Sequence, residues 1–398
     1  MHPFAITVVT ETYLPEINGV ANTLGHLVRG LLCDENLSVQ IVRPQQSALD
    51  TATKEERHEV FVVRGLPIPG YNELRFGLPC KKKLVKLWQQ QPPDVIYLAT
   101  EGPLGKSALA AARQLNIPTL SGFHTNFHRY IEHYHLGWAK PLVFRHLRKF
   151  HNNTKGTLVP TENQAEQLRQ DGFDNISVMG RGVDLELFSP NRRDHALRQS
   201  WGVEPEEIVL IYVGRLAAEK NLDLAIKTFE RSSDQGLTRK LIIVGDGPIY
   251  SDLKKRDDPR IILCGTQTGE ALARHYASAD IFLFPSLTDT FGNVVTEAMA
   301  SGLAVISFNY AAAQMHIQHG ISGYVVPFAD HAKYRETCHL ALKNRKQLTD
   351  VKAQAREHAE TLGWPKIVQH FKAKLEQITT GETAHAIANK TSPRITTH

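Results

Sequence analysis

The 398-residue chain contains only four cysteines, four methionines and four tryptophans. Cys33, Cys80, Cys264 and Cys338 are spaced too widely for a Cys-x-x-Cys metal or redox site. Four isolated thiols in a chain of this size read as groups of a reducing compartment, which points to the cytosol. A long apolar run is also missing. The longest stretch free of Asp, Glu, Lys and Arg, Ala298–Ala329, is broken by Gly302, Asn309, Gln314, His316, His319 and Pro327. It therefore lacks the ~20 mainly apolar residues of a membrane-spanning helix. The opening MHPFAITVVTETY enters a strand pattern directly, with no basic leader, apolar core or small-residue cleavage site, so no signal peptide is expected. Nor does one sign of charge dominate: 46 Lys and Arg face 41 Asp and Glu, a net charge of +5. That mild excess favours phosphate-rich ligands or anionic surfaces. It is no nucleic-acid signature, and no nucleic-acid partner is expected.

What is present is the balance of an ordinary globular protein, 42% apolar and 22% charged. The length suggests two domains. Apolar runs at Phe4–Thr10, Val39–Arg43, Glu59–Val63, Asp94–Ala99, Thr119–Phe123 and Thr157–Pro160 predict one series of strands. A second series is predicted at Ile208–Gly214, Lys240–Gly245, Arg260–Cys264, Asp280–Pro285, Ala304–Phe308 and Gly323–Val326. Helical patterns separate most of them, as at Gly19–Leu32, Leu104–Leu115 and Leu222–Glu230. This alternation implies α/β architecture with parallel sheets, twice over. Between Val183 and Val203 the periodicity gives way to LELFSPNRRDHALRQSWG, which reads as an exposed interdomain segment. The reading is an amino-terminal domain over 1–185, a carboxyl-terminal domain over 203–362, an amphipathic helix over 363–378 and a disordered tail over 379–398.

In open parallel sheets, ligands bind beyond the carboxyl ends of the strands, so the loops there matter most. In ETYLPEINGV, Gly19 lets backbone approach a ligand, and the helix that follows offers N–H groups to an anion. In VGRLAAEKN, the cations Arg215 and Lys220 sit beside a helix start near Asn221, a strong combination for a diphosphate. A solvated basic loop paired with Glu219 would look the same. In PSLTDTFGNVVTEAMASG, Asp289 and Glu297 flank a helix start near Gly292, and a carboxylate suits sugar or ribose hydroxyls. A helix cap and a surface glutamate are the plain alternative.

Together ETYLPEINGV, GFHTNF, VGRLAAEKN, VGDGP and TDTFGNVVTEAMASG resemble the retaining glycosyltransferase family 4, over nearly the whole chain. In detail the motifs are most similar to those of bacterial and plastid lipid glycosyltransferases and of GDP-mannose-dependent α-mannosyltransferases. The resemblance implies a GT-B fold, two Rossmann-like domains facing a central cleft, with the final helix crossing back to the amino-terminal domain. It implies transfer of a hexose from a nucleotide-diphosphate sugar to a lipid or glycan acceptor, with no metal and no other cofactor. Arg215 and Lys220 match the pair that grips the diphosphate, and Glu297 the ribose-binding acid. Asp289 stands where many members have Glu, at the position that contacts the transferred hexose. Phe291, Gly292 and Asn293 match the loop facing sugar and phosphate. His124 matches a histidine near the reacting carbon, and Gly19 the loop beside the diphosphate. His124, Arg215, Lys220 and Asp289 are thus the expected catalytic set.

Other patterns fail. GPLGKS at Gly102–Ser107 imitates a P-loop with two residues, not four, between its glycines. GRGVDL at Gly180–Leu185 lacks the third glycine of a dinucleotide fingerprint. His124, His128, His133 and His135 have neither a cysteine partner nor a His-Glu-x-x-His pattern, so no metal is expected. Two basic amphipathic segments bear on the acceptor. KKKLVKLW carries Lys81, Lys82, Lys83 and Lys86 opposite Leu84, Leu87 and Trp88; KPLVFRHLRKF carries Arg145, Arg148 and Lys149 beside Val143, Leu147 and Phe150. Such helices suit an anionic membrane surface, or else bury their stripes in a core. They point to a lipid acceptor and to a cytoplasmic protein peripheral on the inner face of the cytoplasmic membrane. The opposing class is a sugar-nucleotide binder or epimerase on the same fold.

Overall fold

The computed structural model describes residues 3–16, 18–46, 50–68, 71–124 and 140–380. The chain divides into two compact units. The first runs to Pro160, resumes over Gln164–Gly180 and takes up the chain again from Ile367; the second spans Arg181–Lys366 with Thr161–Asn163.

The first unit holds β1 (Phe4–Val9), β2 (Leu37–Pro44), β3 (Thr53–Lys54), β4 (His58–Val63), β5 (Gly65–Ile68), β6 (Tyr71–Gly77), β7 (Val95–Leu98), β8 (Thr119–Gly122), β9 (Gly156–Val159) and β10 (Ile176–Val178). Eight of them form one sheet in the order β10-β9-β8-β7-β1-β2-β4-β3. All its pairings are parallel except β3 with β4. β5 and β6 form a separate antiparallel hairpin. The sequence carries no clear signal for that hairpin, because LPIPGYNELRFG alternates poorly and contains Pro67. The helix Trp364–Thr380 brings Phe371 and Leu375, both fully buried, into this unit. Phe371 meets the Tyr97 ring edge-on at 4.8 Å, and Lys372 pairs with Asp34 at 2.7 Å. Gly30 makes room for the same helix, since a Cβ there would lie 2.4 Å from Val368. The helix runs two residues into the stretch read as a disordered tail, because Phe371 and Leu375 anchor its last turns; residues 381–398 lie outside the described residues.

The second unit holds β11 (Val209–Val213), β12 (Lys240–Val244), β13 (Ile261–Leu263), β14 (Ile281–Phe284), β15 (Ala304–Phe308) and β16 (Tyr324–Val326). They form an all-parallel sheet in the order β13-β12-β11-β14-β15-β16. VLIYV, IFLF and AVISF are buried at every residue. Strands covered on both faces read as continuous apolar runs, which is why this series was legible. The order reverses between β11 and β14, and such a switch point opens a crevice at the carboxyl ends of the strands.

The segment 183–203 departs from its expected role as an exposed linker. It belongs to the second unit, where Phe188, Trp201, Val203 and Arg198 are buried. Its charges are satisfied inside the fold. Asp280, itself buried, accepts from Arg193 at 3.2 Å, Arg198 at 3.3 Å, Lys352 at 2.8 Å and the Val209 N–H at 3.0 Å. Burial alone would raise its carboxyl, but Lys352 and Arg193 hold it below the usual value. Removing one partner from a buried ion cluster leaves uncompensated charge. Asp280→Ala is therefore expected to cost about 3–5 kcal/mol in urea unfolding. In the wild type that contribution is lost as acid protonates Asp280, below pH ~4.

Candidate functional site

Both loops at the switch point of the second unit carry the residues singled out from sequence. After β11, Gly214 turns the chain, Arg215 follows, and a 3-10 turn at Ala218–Lys220 leads to the helix Leu222–Ser233. After β14, the chain passes Ser286–Asp289 into the helix Asn293–Ala300, whose N-cap is Gly292 with φ +90°. An L side chain at 292 would be strained in that conformation. No side chain caps the helix; the Val295 N–H donates to the Gly292 carbonyl at 3.0 Å, and the N–H groups of Asn293 and Val294 are left to other acceptors.

The two loops meet. The Lys220 Nζ donates to Asp289 Oδ1 at 2.8 Å and to the Thr288 carbonyl at 3.0 Å. The Leu287 N–H reaches the Glu219 carbonyl at 3.4 Å. Lys220 and Asp289 are largely withdrawn from solvent, with 19% and 16% of their side-chain surfaces exposed. Arg215 is not part of this contact. Its guanidinium is 66% exposed and lies 3.8 Å from Glu219, as the plain alternative had it. Its backbone is held in place, because the Tyr212 hydroxyl donates to the Arg215 carbonyl at 3.1 Å. The Tyr310 hydroxyl likewise fixes the Asp289 carbonyl at 3.1 Å.

Two acceptors remain open at the helix start. Asp289 Oδ2 and Asn293 Oδ1 are buried and have no hydrogen-bond partner among the described residues. Buried acceptors left unpaired are costly, and a ligand hydroxyl would relieve both. One turn further, Glu297 is half-buried and accepts the Tyr276 hydroxyl at 3.2 Å. Burial pushes its carboxyl up to about 7, with the Tyr276 hydrogen bond working the other way. Phe291 is core, 1% exposed, with the Arg181 guanidinium 5.9 Å from its ring centre. Its carbonyl is also engaged, accepting the Ala312 N–H at 2.8 Å, so the backbone approach expected of Phe291 is not open at that oxygen.

Gly19 and His124 belong to the first unit. Gly19 opens the helix Gly19–Leu32, but Asn18 caps it, its Oδ1 accepting from the Val20 N–H at 3.1 Å and the Ala21 N–H at 2.9 Å. Two of the N–H groups expected to face an anion are thus already bonded. His124 is buried behind β8, its Nε2 2.8 Å from the Tyr97 hydroxyl. His128, His133 and His135 lie outside the described residues, and no group of three metal-binding side chains occurs among the described ones. The P-loop imitation is closed by Glu11, whose Oε1 accepts the Leu104 N–H at 2.9 Å at the start of the helix Pro103–Leu115. Glu11 also accepts from the Gly77 N–H, and burial pushes its carboxyl to about 7. A carboxylate in that place excludes a phosphate.

Nothing in the sequence signalled Tyr212, Tyr276, Tyr310 or Glu11 as supports of these loops. The two basic segments resolve toward packing. Leu84 and Trp88 of the helix Lys81–Gln90, and Leu147 and Phe150 of the helix Lys140–His151, are buried in the first unit's core. Their stripes therefore do not face a membrane, while Lys81, Lys82, Lys83, Lys86, Arg145, Arg148 and Lys149 stay exposed. No helix among the described residues is long and apolar enough to cross a membrane.

Residues 17–187 match the model described as Glycosyltransferase Family 4, and residues 194–358 the model Glycosyl transferases group 1. The GDP-mannose-dependent alpha-mannosyltransferase of Corynebacterium glutamicum is 30% identical over 337 residues, 85% of this chain and 79% of the relative. The alpha-monoglucosyldiacylglycerol synthase of Acholeplasma laidlawii is 26% identical over 76% of this chain and 79% of the relative. Among solved structures, Anabaena HepE in complex with UDP superposes with a TM-score of 0.72 at 17% identity, over 94% of this chain and 100% of that one. That likeness concerns the fold.

Proposed function

The chain belongs to the family 4, group 1 glycosyltransferases of the GT-B fold, and from that premise we propose that it is a retaining hexosyltransferase. The donor is GDP-mannose or a UDP-hexose, and the acceptor a membrane glycolipid or diacylglycerol-type lipid. The observation that carries this reading is the switch-point site itself. Lys220 is poised on Asp289, beside two open acceptors and an uncapped helix start.

Cleaving a sugar from a nucleoside diphosphate builds positive charge on the ring and negative charge on the leaving phosphate. Arg215, Lys220 and the helix N–H groups are suited to receive that negative charge in advance of reaction, so no metal is required. Binding a diphosphate draws Lys220 away from Asp289 and frees both Asp289 oxygens for hexose hydroxyls. Glu297 takes the ribose diol. With Asp289 given to the hexose and Glu297 to the ribose, the site has no carboxylate pair left among the described residues for a double displacement, so the leaving phosphate itself helps deprotonate the acceptor on the same face of the sugar.

The test is incubation with labelled GDP-mannose and labelled UDP-glucose in the presence of membrane lipid extract and EDTA. A labelled glycolipid carrying the donor's anomeric configuration supports the reading. Recovery of epimerised or unreacted donor alone supports the binder or epimerase instead. Because the apolar stripes are buried, attachment to membranes rests on the exposed cations, each contributing about 1 kcal/mol near an anionic surface. The protein is expected to sediment with anionic vesicles at low salt and to release as ionic strength approaches about 0.5 M, where screening is nearly complete. Salt-resistant binding would contradict this.

A further inference from the structure

Among the described residues the Glu297 carboxylate accepts from Tyr276, which belongs to the core rather than to the site. Tyr276, on the helix Gly269–Ser278, is fully buried. Its ring meets Phe188 and Phe282 edge-on, each at 5.8 Å between centres. Packing on both sides fixes where the hydroxyl points, and it points at Glu297 Oε2, 3.2 Å away. The phenol stays protonated, held well above its usual value by burial and by the neighbouring carboxylate. Toward the ionised Glu297 it therefore acts as a donor.

We propose that Tyr276 is a positioning residue for nucleotide recognition: its core-locked hydroxyl holds one oxygen of Glu297, so that the carboxylate stays oriented toward the ribose diol. The inference rests on reading Glu297 as the ribose acceptor. A carboxylate on a helix has several rotamers, and one anchored oxygen removes most of that freedom before the ligand arrives. The hydrogen bond also favours the ionised form, which accepts from both hydroxyls of a diol. Ribose hydroxyls are neutral and develop no charge in the reaction. Tyr276 therefore acts on binding and not on the chemical step.

The experiment titrates GDP and UDP, and their 2′,3′-dideoxy forms, into the wild type, Tyr276→Phe, Glu297→Gln and the double variant. Tyr276→Met replaces Tyr276→Phe if the latter does not fold. Whichever of GDP and UDP binds more tightly is expected to lose about tenfold or more in affinity in each single variant, as for a hydrogen bond to a charged group. The double variant should lose no more than Glu297→Gln alone. The dideoxy nucleotide should bind all four proteins alike. An equal loss for ribo- and dideoxynucleotide in Tyr276→Phe, an unchanged affinity, or additive losses in the double variant would overturn the role of Tyr276. Unchanged binding of the ribonucleotide in Glu297→Gln would instead remove the ribose reading on which it stands.

Discussion

Lys220→Ala lowers turnover by about 10²–10³ at saturating donor, the loss that follows removal of one preorganised donor to a developing anion. The geometry explains why the effect should be large. Lys220 is the only cation bonded to Asp289 among the described residues, and it is mostly shielded from solvent. In such surroundings its charge would act on a leaving phosphate with little screening. Its loss also leaves the Asp289 carboxylate without a counterion, so donor binding weakens as well. Arg215→Ala should lose less than Lys220→Ala, since its guanidinium is exposed and reaches the site only by swinging from Glu219. Single-turnover rates with each variant check both expectations. Near-normal rates in Lys220→Ala would remove the diphosphate role.

Donor affinity should fall as pH drops below 7, by at most about tenfold per unit and levelling at the affinity of Glu297→Gln, because ionised Glu297 accepts from both hydroxyls of a diol. The sign follows from burial. Withdrawal from solvent disfavours the charged carboxylate and pushes its titration up to about 7, against a weaker opposing hydrogen bond from Tyr276. Below that pH the group carries a proton and loses acceptor capacity. By the same linkage the folded protein binds a proton at Glu297 that the unfolded chain does not, over the range from about 4.5 to 7. This group thus opposes folding as pH rises through that window. The control is Glu297→Gln, which should bind weakly and show a flat profile. Glu11 and Glu101, both also pushed to about 7 by burial, remain in that variant. If the dependence persists in Glu297→Gln, those two carboxyls carry it and not Glu297.

The readable and unreadable parts of this chain separate along physical lines. Strands such as IFLF and AVISF announce themselves because parallel sheets bury both faces. The segment around Arg193 and Arg198 misled because charge usually marks solvent, whereas here Asp280 receives it inside the fold. As candidates, Arg215, Lys220 and Asp289 stand out by position, each in a loop just past a strand, and Glu297 on the helix that follows; the structure brings Lys220 and Asp289 together and leaves Arg215 on Glu219. Their supports do not stand out. Tyr276 looks like any apolar residue of a helical stripe, and only its packed orientation shows that the hydroxyl serves Glu297. Glu11 caps a helix 93 residues away, a relation that no local pattern carries. The amphipathic segments show the converse limit. A stripe of Leu84, Trp88, Leu147 and Phe150 suits a membrane or a core equally, and the fold puts it in the core.

A crystal structure of the second unit's site in the full chain, soaked with GDP and separately with UDP, bears most directly on the central claim. The account predicts diphosphate oxygens within about 3 Å of Lys220 Nζ, a Lys220–Asp289 contact that has opened, and both ribose hydroxyls on Glu297. A nucleotide bound elsewhere, with Lys220 still on Asp289 and Glu297 touching only Tyr276, would contradict it.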